Sequence, residues 1–150
     1  MFRGSYEAKI TEGRLKLPSD FEKPVIASKV TQFYVTSVDG KSAEIWPLPE
    51  WEKREARLAA HSTMDDAVAK YLNLTSYYGQ QVEMDKQARI SLPKILRGTA
   101  RLEGEVMVMG KLSYLEVMNS QALQETITAG AMSKDERNKV ASILGPGELK

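Results

Sequence analysis

The sequence predicts a mainly β fold with short helices, an α+β chain built from two copies of one small unit. Three observations carry that expectation. Gly13-Arg14-Leu15-Lys16-Leu17-Pro18 matches Ala88-Arg89-Ile90-Ser91-Leu92-Pro93 as small-Arg-aliphatic-x-Leu-Pro, at an offset of 75 residues. Glu44-Ile45-Trp46 matches Glu116-Val117-Met118 in the same order, at an offset of 72. Charge follows the repeat: the net is +2 over residues 1–30 and +4 over 84–101, but −3 over 39–66 and −3 over 103–125. Each copy therefore has a basic first half and an acidic second half.

Taken in order, Tyr6 to Ile10 alternates as a strand does, and Arg14 to Leu17 continues as a second. Leu15 and Leu17 face one side of it and Arg14 and Lys16 the other. Gly13 supplies the tight turn between the two strands. Pro18 starts a short helical turn, as proline does at a helix start. Thr31 to Val38 is rich in β-branched and aromatic residues, and Asp39-Gly40-Lys41 is a hairpin signal. Ser42 to Trp46 returns as a strand that Pro47 ends, and Pro49 opens a helix to about His61. Ser62 to Asp66 is a capping start for a linking helix through Leu72. The second copy repeats the plan: strands 81–84 and 89–92 around a turn at 85–88, a short helix 93–97, strands 105–109 and 114–118, and a helix from Ser120 to about Ala129. Ser133-x-x-Glu136 is a capping box for a tail helix to Leu144. The expected boundaries are residues 1–60 for the first unit, 61–78 for the linking helix, 79–130 for the second unit and 131–150 for the helical tail.

Composition excludes several classes of function. The 150 residues are 42% hydrophobic and 27% charged, enough for a soluble core, although each half alone would be marginal. No apolar run approaches the roughly 20 residues of a membrane helix. The opening Met1 to Glu7 lacks the apolar stretch of a secretory signal. Cysteine is absent and His61 is the only histidine, which leaves nucleophile triads and transition-metal sites short of parts. No Gly-rich phosphate loop occurs. An enzyme is not expected, nor a cofactor or a metal. The lack of cysteine fits a reducing cytoplasm.

Several motifs, in order and together spanning nearly the whole chain to about residue 130, resemble the MraZ family. They are Met1-Phe2-x-Gly4-x-Tyr6, Gly13-Arg14-Leu15-x-Leu17-Pro18, Tyr34-Val35-Thr36, Trp46-Pro47-Leu48-x-Glu50-Trp51, Tyr77-Tyr78-Gly79 and Asp85-x-x-Ala88-Arg89-Ile90-x-Leu92-Pro93. The resemblance implies two tandem AbrB-like swapped-hairpin units in one pseudo-twofold subunit, and assembly into a ring-shaped homo-oligomer. It implies a cytoplasmic, nucleoid-associated transcriptional regulator. Its target would be direct repeats in the promoter of the bacterial division and cell-wall gene cluster. The family's DNA-contacting arginine lies in an Asp-x-x-x-Arg motif of each unit, which carries over to Arg14 and Arg89. Two departures stand out. The first motif reads Ile10-Thr11-Glu12-Gly13-Arg14, without the aspartate and one residue short. The second has Ala88 where glycine is usual, at a cost of about 1 kcal/mol if that turn needs positive φ.

These residues suit double-stranded DNA. Arginine pairs bidentately with guanine and also reaches phosphates, so Arg14 and Arg89 are assigned the base-reading or groove-entering role. Lys16, Lys9 and Lys86 fit phosphate contacts, because a point charge carries little sequence information, and Arg3 extends the same basic patch. Lys94, Arg97 and Arg101 extend the second basic stretch. A plainer reading stands beside this one, since an exposed arginine on a strand is ordinary. Trp46 and Trp51 read as core or subunit interface, and Met107, Met109 and Met118 as core fillers. The alternative function is an antitoxin-like or ring-forming protein-interaction module with weak or no specific DNA binding. Its surface would be the acidic segments, including Trp46 to Trp51 and Glu103 to Glu116.

Overall fold

A computed structural model describes residues 1–61 and 64–145. It divides into two compact units, Met1–Ser120 and the part from Gln121 onward. The first holds eight strands: β1 (Ser5–Thr11), β2 (Arg14–Lys16), β3 (Gln32–Thr36), β4 (Ala43–Pro47), β5 (Gln80–Glu83), β6 (Arg89–Ser91), β7 (Gly104–Gly110) and β8 (Leu115–Asn119). Its helices are α1 (Ser19–Ser28), α2 (Leu48–Ala59), α3 (Asp66–Tyr77) and α4 (Lys94–Thr99). Helices α5 (Ser120–Ala129) and α6 (Lys134–Leu144) follow. No helix among the described residues is long and apolar enough to cross a membrane.

All eight strands join one antiparallel sheet, in the order β5-β3-β4-β8-β7-β1-β2-β6. Its two edges, β5 and β6, are consecutive in the chain, and Asp85 N–H donates to the Arg89 carbonyl at 3.0 Å, so the sheet nearly closes into a barrel. Exchanging β1–β4 with β5–β8 leaves this cyclic order unchanged, which is the signature of a pseudo-twofold axis. Strands of the two halves interleave, β1 beside β7 and β3 beside β5.

Both sequence anchors lie on that axis. In β2 and β6 the partners are Arg14 with Ser91, Leu15 with Ile90 and Lys16 with Arg89, symmetric about the Leu15–Ile90 pair. In β4 and β8 they are Ala43 with Val117, Glu44 with Glu116 and Ile45 with Leu115, symmetric about the two glutamates. Two matched hydrogen bonds extend the first pair, Leu17 N–H to the Ala88 carbonyl at 3.0 Å and Leu92 N–H to the Gly13 carbonyl at 2.9 Å.

The barrel interior takes alternate residues of each strand, as a period of two requires. Leu15, Phe33, Val35, Ile45, Ile90, Val106, Val108, Leu115 and Val117 are fully buried. This corrects the expectation that the methionines fill the core. In β7 the inward places belong to Val106 and Val108, and Met107 and Met109 between them face outward, half-buried. Met118 is half-buried opposite Met107.

Two helical expectations also change. After Pro18 the chain forms a ten-residue helix rather than a short turn. Phe21 and Val25, one turn apart, are buried and hold α1 to the core past Pro24; Lys29 then stops it in the left-handed conformation. Helix α3 begins at Asp66, with the Asp65 carboxylate accepting from the Ala67 and Val68 N–H groups. The Ser62-Thr63 part of the expected cap lies outside the described residues. In the second unit, the capping box of Ser133 and Glu136 forms as the sequence predicts.

Candidate nucleic-acid interface

Strands β2 and β6 are only three residues each, and their register decides what the outer face presents. Leu15 and Ile90 point inward, so the flanking Arg14, Lys16, Arg89 and Ser91 point outward. Lys16 and Arg89 are direct partners across the strands. On the other side of β2, Ile10 pairs with Leu15, which carries Lys9 alongside Lys16 on the outer face. Lys9 in turn faces Glu105 of β7. The row Lys9, Lys16, Arg89 thus runs across three neighbouring strands, with Arg14 one step along it.

The turns at the strand ends aim this row. The first is a two-residue hairpin in which Glu12 and Gly13 both have positive φ, 54° and 75°. That pattern suits the right-handed twist of the strands. A side chain at Gly13 would also strike the Arg97 guanidinium, 2.8 Å from the place of a Cβ. The second turn is one residue longer. Asp85 Oδ1 accepts from the Gln87 and Arg89 N–H groups, both at 2.9 Å, and the Ala88 N–H donates to the Asp85 carbonyl at 3.0 Å. Ala88 has a φ of 58°, so this turn does require the left-handed region.

Alanine there costs about 1 kcal/mol relative to glycine. Its methyl is buried, however, at 3% exposure, which contributes roughly 0.8 kcal/mol in return. Ala88→Gly is therefore expected to leave stability within about 0.5 kcal/mol of the parent. Thermal unfolding checks this; a gain above roughly 2 kcal/mol would mean that the strain is not offset.

The cations are already engaged. Arg89 Nε donates to Asp85 Oδ2 at 2.8 Å, and Arg14 Nη1 reaches the same oxygen at 3.4 Å. Arg14 also lies 3.9 Å from Glu12. Lys16 Nζ donates to the Gln87 carbonyl at 2.6 Å and pairs with Glu22 at 3.2 Å. The N–H of Arg89, above all, and then its guanidinium hold the Asp85 carboxyl below its ordinary pKa. Both arginine side chains remain about one-third exposed, 36% and 35%, so each can still meet a ligand. Lys86 is exposed at the tip of the second turn.

The structure thus brings Arg14, Lys16, Arg89, Lys9 and Lys86 to one side of the barrel. It does not bring Arg3 there. Arg3 sits at the far end of β1, where Phe2 exchanges two hydrogen bonds with Leu112. Lys9, the nearest member of the cluster along the chain, is six residues on from Arg3, roughly 20 Å at the strand rise of about 3.3 Å per residue. In the sequence Asp85 stands out only as a motif position. Its contact with Arg14, 71 residues away, has no local signal.

The opposite end of the axis is acidic. Glu44 and Glu116 face each other across β4 and β8. Trp46 Nε1 donates to Glu44 at 2.8 Å, the Ser42 hydroxyl donates to Glu116 at 2.7 Å, and Lys111 pairs with Glu116 at 3.4 Å. Trp46 is buried between Tyr114, stacked at 4.3 Å, and Trp51, edge-on at 5.5 Å, with the Arg54 guanidinium 4.4 Å over its ring. Both tryptophans are internal, at 2% and 4% exposure. Burial, above all, raises the Glu44 pKa from 4.5, and Glu116 adds to the rise.

A raised carboxyl pKa favours folding below pH 4.5, and that advantage is lost as pH rises through the folded-state value. At neutral pH the ionised Glu44 is a burden. Glu44→Gln, which keeps the acceptor for Trp46, is expected to raise the melting temperature at pH 7. The gain should vanish near pH 4, and melting curves across that range provide the check.

Comparison with known proteins places the chain. Residues 79–140 match the family model described as "MraZ protein, putative antitoxin-like". A protein of Acidobacterium capsulatum named transcriptional regulator MraZ is 46% identical over 142 residues, covering 94% of this chain and 97% of the relative. One of the same name from Koribacter versatilis is 44% identical over 147 residues, covering 97% and 99%. A third, from Shewanella oneidensis, is 32% identical over 147 residues, covering 91% and 96%. With nearly full-length identity at this level, and with its two-fold interleaved sheet of eight strands, the chain belongs to the MraZ family.

Proposed function

We propose that the chain is a transcriptional regulator that binds double-stranded DNA in a sequence-specific manner. The observation that carries this reading is the pairing of Lys16 with Arg89 across β2 and β6, with Arg14 beside them, at the pseudo-twofold axis. Two planar guanidiniums reach one carboxylate oxygen on the outer face of the sheet, flanked by lysines that suit phosphates. The names of the relatives, transcriptional regulator MraZ, support the same reading. The target is the direct repeats in the promoter of the division and cell-wall gene cluster, and the site of action is the nucleoid in the cytoplasm.

One subunit offers few contacts against the roughly six to ten phosphates of firm binding. A ring-shaped homo-oligomer, presenting the same face to successive DNA repeats, multiplies a weak contact through effective concentration. The protein-interaction reading finds less support here. Its aromatic anchors, Trp46 and Trp51, are buried inside the subunit.

The test is a mobility-shift titration on DNA from directly upstream of the gene, with scrambled competitor, at roughly 150 mM salt, a concentration at which non-specific contacts are weakened. A competitor-resistant shift is the expected result. A large oligomer that gives no specific shift would transfer the assignment to the protein-interaction module.

A further inference from the structure

Arg14 and Arg89 come from opposite halves of the chain, yet they share one carboxylate oxygen, Asp85 Oδ2, at 3.4 and 2.8 Å. The first half has no carboxylate of its own in the corresponding place, where Thr11 pairs with Arg14. The two oxygens of Asp85 divide their partners. Oδ1 takes the backbone of the turn, and Oδ2 takes the guanidiniums. The turn is therefore held even when an arginine leaves. We propose that Asp85 is a positioning residue that couples the two arginines as one unit, fixing their orientation toward bases and withholding their charge from phosphates. This inference rests on the DNA-binding reading above and deepens it.

Three physical consequences make the coupling effective. A guanidinium tied to a fixed carboxylate loses less rotamer freedom when it meets a base, so less ordering is left for the binding step. A shared counter-ion also makes the two arginines interdependent, because moving one changes the field on the other. Finally, the site is about one-third exposed, so solvent screens the pairs and DNA can compete for them. Non-specific phosphate contact, the sequence-independent part of binding, is the part that Asp85 suppresses.

The experiment uses the full chain with Asp85→Asn, and with Arg14→Ala and Arg89→Ala singly and together in both backgrounds. Asparagine keeps an acceptor for the turn N–H groups and removes the charge facing the arginines. Each protein is titrated across a salt series on the upstream duplex and on a scrambled duplex. Asp85→Asn is expected to bind the scrambled duplex about three- to tenfold more tightly, with a salt slope steeper by about 0.9 for each further phosphate neutralised. The ratio of upstream to scrambled affinity should fall. The two arginine changes should be non-additive on the upstream duplex in the parent and additive in the D85N background.

A purely structural role for Asp85 would weaken binding to both duplexes together. That result, or an unchanged salt slope on the scrambled duplex, overturns the proposal. If the parent fails to distinguish the two duplexes, the regulator reading falls while the scrambled-duplex slope still judges the coupling. Should D85N not fold, Thr11→Asp leaves the 85–89 turn untouched and gives Arg14 a strand-held carboxylate from its own half, beside the exposed Glu12 at 3.9 Å. Coupling between Arg14 and Arg89 should then drop, and unchanged coupling would equally overturn the proposal.

Discussion

Replacing Arg14 and Arg89 together by alanine is expected to abolish discrimination between upstream and scrambled DNA while the subunit stays folded. A good bidentate arginine–guanine contact is worth about 1–3 kcal/mol, and because the two arginines share Asp85 their losses do not simply add. A factor of ten corresponds to about 1.4 kcal/mol, so one such contact alone makes the loss roughly fivefold at the least. In the proposed ring, effective concentration would multiply it. The fold should tolerate the change because both side chains point outward from short strands and stay about one-third exposed. Asp85 is left without its cations but keeps the Gln87 and Arg89 N–H donors. Competition mobility shifts and a melting curve on the same preparation make the check. Unchanged upstream affinity would remove these two residues from the interface.

The largest loss of stability is expected at the residue directly behind them. Leu15 is fully buried on the pseudo-twofold axis, opposite Ile90, which is equally buried. Leu15→Ala removes apolar volume where strands of both halves meet, so no single half can relax to fill it. Such substitutions cost about 2–5 kcal/mol, a large part of the roughly 5–15 kcal/mol by which domains are stable. Denaturant unfolding gives the number. A cost below roughly 1 kcal/mol would mean that the barrel collapses around the gap. The backbone of β2 carries Arg14 and Lys16, so loosening Leu15 should also weaken DNA binding without touching a DNA-facing side chain.

Much of the fold is legible because the relevant signals are local. Alternation, β-branched and aromatic content and the repeat together place all eight strands, with edges shifted by one or two residues. The capping box of Ser133 and Glu136 and the Asp39-Gly40-Lys41 turn form as read. The positive φ anticipated at Ala88 is there, since a three-residue hairpin turn sets it whatever the side chain. The length of α1 is not legible: Pro18 marks only its start, and burial of Phe21 and Val25 carries the helix on past Pro24. Nor is the place of the methionines, because hydrophobicity alone does not tell which face of a strand is inside; the register with β1 and β8 decides it.

The duplicated motif names the two arginines, since repetition of a charged residue at matched positions survives in one dimension. It carries no information on distance. Interleaving of the halves brings Lys16 beside Arg89 and lays both arginines on one oxygen of Asp85, a contact spanning 71 residues for Arg14. The same interleaving stacks Trp46 of β4 on Tyr114 from the other half. Residue types and periodicity follow from short-range chemistry, which the chain states directly. Partnership between charges depends on which strands pair and in what register, and that is settled only when both halves bury their apolar faces together.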